Sequence, residues 1–162
     1  MISSKKNLSV YDTKTIPSSQ KIKFGIVVSE WNKDITDALY NGAFETLITN
    51  GAKKENIITK YVPGSFELPL GAQFFAKNSK VDAIICIGCV IQGETRHFEF
   101  ISNAVSKGIM DVNLKYNLPV IFCVLTPNDH SQAKERAGGK YGNKGVEAAI
   151  TAIKMAALGL GD

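Results

Sequence analysis

His97 is one of only two histidines in the 162-residue chain, and it stands just after a glycine-bearing segment, GCVIQGET, at 88–95. An unperturbed imidazole titrates near pH ~6.5, so a histidine beside a ligand crevice is a ready proton shuttle. A solvent-facing or capping histidine is the alternative, and residue type alone leaves both open. The segment nearly spells the triphosphate-binding pattern G-x-x-x-x-G-K-[ST], but Glu94 stands where the lysine belongs. A carboxylate in that position repels β and γ phosphates, which excludes nucleoside triphosphates. A weaker capacity remains. Gly93 lets the backbone approach a ligand, and the N–H groups of Glu94 and Thr95 at a helix start can hold a single phosphate. Arg96 adjoins this segment, while Arg136 in ERAGGK and Lys144 in GNKG come later and could swing over the same crevice. Charge alone does not rank the three.

Trp31, the one tryptophan, follows an apolar run in SEWN (29–32). It is either a platform on which a flat heterocycle stacks or a core residue beneath the next helix. Phe66 in PGSFE (63–67) poses the same choice. Its neighbours Ser65 and Glu67 offer a hydroxyl and acceptors suited to a polyol, although by themselves they read as ordinary helix-start residues. Cys86 and Cys89 spell C-x-x-C, yet within AIICIGCVI they occupy a strand, where positions three apart face opposite sides. Redox or zinc chemistry is therefore not expected, and with Cys123 the three cysteines form no disulfide framework.

These residues need elements to position them. IKFGIVVS (22–29) reads as a strand, and the spacing of Ile35, Ala38, Leu39, Gly42, Ala43 and Leu47 predicts a helix from an N-cap at Asn32 to a stop at Gly51. IITKYV (57–62) reads as a strand and 67–77 as a helix, with Pro69 in its first turn. AIICIGCVI (83–91) has the uninterrupted apolar character of a central parallel strand. A helix over 95–116 follows, with Phe98, Ile101, Ala104, Val105, Ile109 and Val112 on one stripe. PVIFCVLT (119–126), a helix over 129–137, a glycine-rich connection and a last helix to about 158 complete the chain. Strand alternating with helix four times predicts a three-layer α/β/α sandwich around a four-stranded parallel sheet. Ligands in such sheets bind beyond the carboxyl ends of the strands, where SEWN, PGSFE, QGETRH and TPND all fall.

Composition agrees with one domain over 22–162 preceded by a polar arm, 1–21, whose strand-like piece is 8–11. The hydrophobic share of 44% and charged share of 21% are those of an ordinary globular protein. The longest nearly uncharged apolar run is nine residues, against roughly 20 for a membrane-crossing helix, so no membrane association is expected. The net charge of +4 is spread along the chain rather than clustered, which argues against nucleic-acid binding. The start lacks the apolar stretch of a secretory leader, which makes the cytoplasm the expected compartment.

FGIVVSEWN, VPGSFELP, GCVIQGETRHFEFI, PVIFCVLT and ERAGGKYGNKG, in this order and spacing, resemble the 6,7-dimethyl-8-ribityllumazine synthase family of riboflavin biosynthesis. The resemblance runs from about 24 to 158. It implies a flavodoxin-like fold and a condensation of 5-amino-6-ribitylaminouracil with 3,4-dihydroxy-2-butanone 4-phosphate, without metal or organic cofactor. The substrate's own amine forms an imine with the ketone, phosphate leaves, and the ribitylamine closes the ring. By resemblance, Trp31 is the platform for the pyrimidine. Ser65, Phe66 and Glu67 hold the ribityl chain, and the backbone of Cys89, Val90 and Ile91 reads the pyrimidine edge. Glu94 and Thr95 cradle the phosphate with Arg136, His97 is the proton donor, Phe122 reaches the site from a neighbouring subunit, and Lys144 is a nearby auxiliary cation. The chain departs from the pattern at Cys89, where many members carry Thr or Ser, and at Gln92, where several carry Arg or Lys. The family forms pentamers, and in many members twelve pentamers close into a 60-subunit icosahedral shell that can enclose riboflavin synthase. The short connection RAGGKYGNKG points to the shell.

Two other readings share the features. The archaeal type of riboflavin synthase is similar in fold and binds the lumazine. A flavin-binding storage shell would keep the pocket without the chemistry. His97 together with Arg136 favours catalysis, since a flat ring and a polyol can be held without either.

Overall fold

The strand register explains most of the architecture. In the computed structural model, which describes residues 7–161, four strands pair in parallel in the order β2-β1-β3-β4. These are β1 (Phe24–Ser29), β2 (Ile57–Val62), β3 (Ala83–Cys89) and β4 (Val120–Leu125). Phe24 lies opposite both Ile57 and Ala83, and Ile84 opposite Val120. The inner strands β1 and β3 are buried at every position, whereas the edge strand β2 alternates between exposed and half-buried residues. Continuous apolar runs are what strands covered on both faces require.

The helices divide between the faces: α1 (Lys33–Thr49) and α5 (Lys144–Leu160) cover one, α2 (Leu68–Asn78) and α3 (His97–Tyr116) the other. On α1, Ile35, Leu39, Ala43 and Leu47 recur every fourth residue and meet Ile26, Val28, Ile85 and Ile87 in one core. On the opposite face Val27, Ile84 and Cys86 pack against Leu68, Ala72, Phe75, Val105 and Ile109. Cys86 and Cys89 thus lie on opposite faces of β3, as strand geometry predicts. Among the described residues no helix is long and apolar enough to cross a membrane.

Several boundaries differ from the sequence reading. β3 stops at Cys89 rather than 91, although Val90 and Gln92 still donate to the carbonyls of Leu125 and Pro127. α3 starts at His97 rather than 95, because Arg96, with φ −72° and ψ 0°, still belongs to the turn. Ala104, expected on its buried stripe, is exposed. Residues 65–67 form a separate single turn before α2, residues 8–11 form no strand, and α5 runs two residues past 158. The short helix α4 (His130–Arg136) is followed by a small hairpin, β5 (Ala137–Gly139) and β6 (Gly142–Asn143), in place of the expected loop.

Asn143 joins three parts of the fold. Its Oδ1 accepts from the Gly145 N–H at 2.8 Å and caps α5, its Nδ2 donates to the Ala38 carbonyl of α1 at 2.9 Å, and its backbone N–H donates to Ser9 Oγ at 2.9 Å. Gly42 makes room for this amide, since a Cβ at 42 would stand 2.6 Å from it. The N-terminal segment is tied down by this contact, by the Leu8 N–H donating to the Tyr141 carbonyl, and by Ser19, whose hydroxyl donates to the Asn50 carbonyl. Asn143→Ala removes both a cap and a partly buried bond to α1, so it should lower unfolding stability by about 2 kcal/mol in urea titration.

Candidate functional site

The sheet order places a switch point between β1 and β3, because the chain leaves β1 toward β2 and returns to the other side of β1 for β3. Loops diverge there, and a crevice opens beyond the carboxyl ends of the strands. A cleft of about 630 Å3 occupies this place, lined by Trp31, Asn32, Gly64, Ser65, Phe66, Glu67, Cys89, Val90, Ile91, His97 and Ile101. The volume suits a ligand of drug-like size.

Its floor is the end of β3. Asn32 occupies the left-handed region at φ 55°, ψ 51°, a conformation asparagine tolerates better than most residues. Asn32 is the N-cap of α1, as the sequence reading has it, and its carbonyl accepts from the Ile35 and Thr36 N–H groups, but its side-chain amide makes no capping bond. Instead its Nδ2 donates to the Cys89 carbonyl at 2.9 Å. Val90 N–H is taken by Leu125, so the free backbone groups at this strand end are the Val90 and Ile91 carbonyls and the Ile91 N–H, among the described residues. Cys89 itself is buried, and burial with the nearby Asp34 charge pushes its thiol up to about 12.

Trp31 is 71% exposed, which discards the core alternative and leaves its indole available at the cleft mouth. Gly64 is what allows this placement. A Cβ at 64 would lie 3.3 Å from the indole Cδ1 and 3.1 Å from Glu67 Oε2. Phe66 is likewise exposed, whereas Ser65 is 6% exposed and its Oγ has no hydrogen-bond partner. A buried hydroxyl without a partner carries a desolvation cost that a ligand hydroxyl would relieve. Gly88 keeps the space beneath it open, since a Cβ there would meet Ser65 Oγ at 2.5 Å and Leu68 Cδ1 at 2.9 Å.

His97 opens α3 and its side chain lines the cleft. Glu94 and Thr95 sit in the exposed turn just before it, outside the cleft lining. Their N–H groups have no acceptor among the described residues, and Thr95 Oγ1 accepts from the His97 N–H at 3.4 Å. The remaining expected site residues are not brought to this cleft within one chain. Phe122 lies 38% exposed on the edge strand β4. Arg136, at the end of α4, donates to the Gln132 carbonyl, and Lys144, in the first turn of α5, is paired with Glu147. His130, read as a surface residue, has its Nε2 2.7 Å from Asp34 Oδ2. The sequence reading missed Gly64, Asn32 and Ile101 as lining residues. For Gly64 the signal was its place between Pro63 and Ser65 after a strand; for the others no local signal exists.

A family model described as 6,7-dimethyl-8-ribityllumazine synthase matches residues 21–159. The 6,7-dimethyl-8-ribityllumazine synthase of Cytophaga hutchinsonii is 62% identical to this chain, covering 97% of it and 98% of the relative. That of Flavobacterium johnsoniae is 56% identical, over 96% of this chain and 82% of the relative. That of Parabacteroides distasonis is 50% identical, over 96% and 97%.

Cys86, Cys89 and Cys123 are all buried thiols, and burial raises each above the ordinary value of 9.0, Cys123 to about 12. The native protein should therefore react slowly with Ellman's reagent at pH 8 and release all three thiols only on unfolding. A thiol raised in the folded state stabilises that state fully below its unfolded value, and the contribution is lost as pH rises toward the folded value. The melting temperature should accordingly begin to fall above pH ~9 by this route, and serine at 89 and 123 should flatten the fall.

Proposed function

The chain belongs to the 6,7-dimethyl-8-ribityllumazine synthase family, and from that membership we propose that it condenses 5-amino-6-ribitylaminouracil with 3,4-dihydroxy-2-butanone 4-phosphate, releasing phosphate and water. The observation that carries the reading is the single cleft shared by Trp31, the Ser65–Glu67 turn, the end of β3 and His97. A flat face, a buried hydroxyl in search of a partner, a carboxylate and free backbone groups suit a pyrimidine bearing a polyol. The pyrimidine stacks on Trp31, and its edge meets the unpaired groups of Val90 and Ile91. The ribityl hydroxyls reach Ser65 Oγ and the Glu67 carboxylate.

The chemistry needs no protein nucleophile, because the substrate amine attacks the ketone itself. The protein's part is to hold the two partners together and to move protons, effects worth many orders of magnitude and about 10²- to 10⁴-fold respectively. His97 is the one titratable imidazole lining the cleft. It protonates the departing oxygen during imine formation and assists phosphate loss. The Glu94 and Thr95 N–H groups receive the phosphate.

Arg136, Phe122 and Lys144 lie outside the cleft of their own chain, which supports a site completed by a neighbouring subunit. On this reading the assembly is a pentamer closing further into an icosahedral shell, and oligomer and activity are inseparable. Light scattering should find a particle near the megadalton scale; pentamers alone would remove the shell, and active monomers would remove the shared site.

Product analysis decides the activity. With both substrates present, a fluorescent lumazine and one equivalent of phosphate should appear. Dismutation of added lumazine to riboflavin, without condensation, would give the riboflavin synthase reading instead. His97→Ala should lower turnover by about 10²-fold or less while both Michaelis constants hold, since proton transfer is lost but positioning remains. Unchanged turnover would take His97 out of the mechanism.

A further inference from the structure

Arg136 is held in an unusual way for a half-exposed surface arginine. Its Nη1 donates to the Gln132 carbonyl at 3.0 Å and lies 3.9 Å from Glu135 Oε2, while its guanidinium carbon stands 4.9 Å from the centre of the Tyr141 ring. Every protein contact on the guanidinium therefore falls on Nη1 or on the ring face. Nε and Nη2 have no protein partner among the described residues. Those two nitrogens form the fork edge that binds two oxygens of one phosphate at once.

The residue that carries the ring is anchored by its backbone. The Tyr141 N–H donates to the Glu135 carbonyl at 2.8 Å, and the Tyr141 carbonyl accepts from the Leu8 N–H at 2.7 Å. Leu8 is buried, and Gly142, at φ 81°, lets Asn7 and Ser9 close over the hairpin because it lacks a Cβ. The N-terminal segment, the hairpin and the end of α4 thus converge on the backbone of Tyr141, which fixes where its side chain starts. Lys140 Nζ lies 5.2 Å from the centre of the same ring, so a second cation contacts it.

We propose that Tyr141 is a positioning residue for the phosphorylated ketone: its ring presents the Arg136 guanidinium with the Nε–Nη2 edge open to the substrate phosphate. The proposal rests on reading Arg136 as a phosphate ligand. A free arginine loses several rotors when it grips an anion, and a guanidinium already laid on an aromatic face loses fewer. The attraction between cation and ring is worth a factor of about two to five at a partly exposed site. Its loss should therefore appear as a weaker grip on phosphate alone.

The experiment compares Tyr141→Leu, Tyr141→Phe, Arg136→Ala and the Leu–Ala double variant by steady-state kinetics on the assembled enzyme, with inorganic phosphate as a competitive inhibitor. Tyr141→Leu should raise the Michaelis constant for the butanone phosphate and the inhibition constant for phosphate about threefold. The constant for the pyrimidine and the turnover number should hold. Tyr141→Phe, which keeps the ring, should restore the wild-type values. In the Arg136→Ala background, Tyr141→Leu should add nothing. If Tyr141→Leu does not fold, Tyr141→Met replaces it. Phosphate inhibition unchanged by Arg136→Ala would overturn the reading of Arg136, and the proposal with it. A clear effect of Arg136→Ala with none from Tyr141→Leu would overturn the proposal alone. So would a Tyr141→Leu effect that persists without Arg136, or one that shifts the pyrimidine equally.

Discussion

A strand buried on both faces cannot end without finding partners for the backbone groups at its tip, and the end of β3 is where this constraint bears on the whole molecule. Cys89 is its last residue, and three bonds finish the ladder: Asn32 Nδ2 to the Cys89 carbonyl, Val90 N–H to Leu125, and Gln92 N–H to Pro127. The loops after β1 and β4 are pinned to the tip of the central strand in this way. The cleft has a rigid floor because these bonds leave only a few groups of 90 and 91 unpaired.

From this floor the placement of the other residues follows. Asn32 reaches Cys89 only by adopting a left-handed backbone, and that turn brings Trp31 outward instead of under α1. Gly64 on the opposite wall leaves space for the indole and for Glu67, and Gly88 beneath leaves space for the Ser65 hydroxyl. Close approach rather than backbone angle explains both glycines, strictly at 88 and as a tight fit at 64, since neither has a positive φ. The Ser65 hydroxyl, left without a partner at the cleft, is a local cost that the well-packed cores on both sheet faces can bear.

The legible parts of the fold were those governed by periodicity. The buried runs of β1 and β3 and the four-residue spacing on α1 follow from apolar residues at strand and helix intervals, which is why the order of elements and the parallel sheet could be read directly. What escaped was decided by contacts distant in sequence. Asn32 precedes a helix and carries a good capping side chain, yet a carbonyl 57 positions away captures its amide. The hairpin at 137–143 depends on Ser9 and Leu8 docking against it, and no local pattern in AGGKYGN announces that. Ile101 joins the cleft only because α3 crosses the turn at 65–67. Of the residues singled out for chemistry, Trp31, Ser65–Glu67, Cys89–Ile91 and His97 line one cleft, since strand ends share one edge of the sheet, while Glu94 and Thr95 stay outside its lining. Arg136 and Lys144 do not reach it, because α4 and the hairpin carry them away.

Charge shows why that separation matters for the proposed reaction. The cleft is lined by a carboxylate, Glu67, and a neighbouring turn contributes a second, Glu94, while among the described residues neither arginine nor any lysine lines it. Arg96, the nearest cation in sequence, points its guanidinium to Glu99 at 3.4 Å and lies over Phe100. Backbone N–H groups at a helix start supply only a fraction of an elementary charge, about half, against the nearly two negative charges of a phosphate monoester. A chain on its own is therefore short of positive charge where the ketone phosphate must sit. Arg136 and Lys140, both on the Tyr141 ring, offer positive charge with an open guanidinium edge, and among the described residues Glu135 is the carboxylate paired with it. A second copy that brought this charge over the Glu94–Thr95 turn would correct the imbalance at both places at once. Electrostatic complementarity would then select the same docking that completes the site, so that assembly and substrate binding draw on one arrangement of charge.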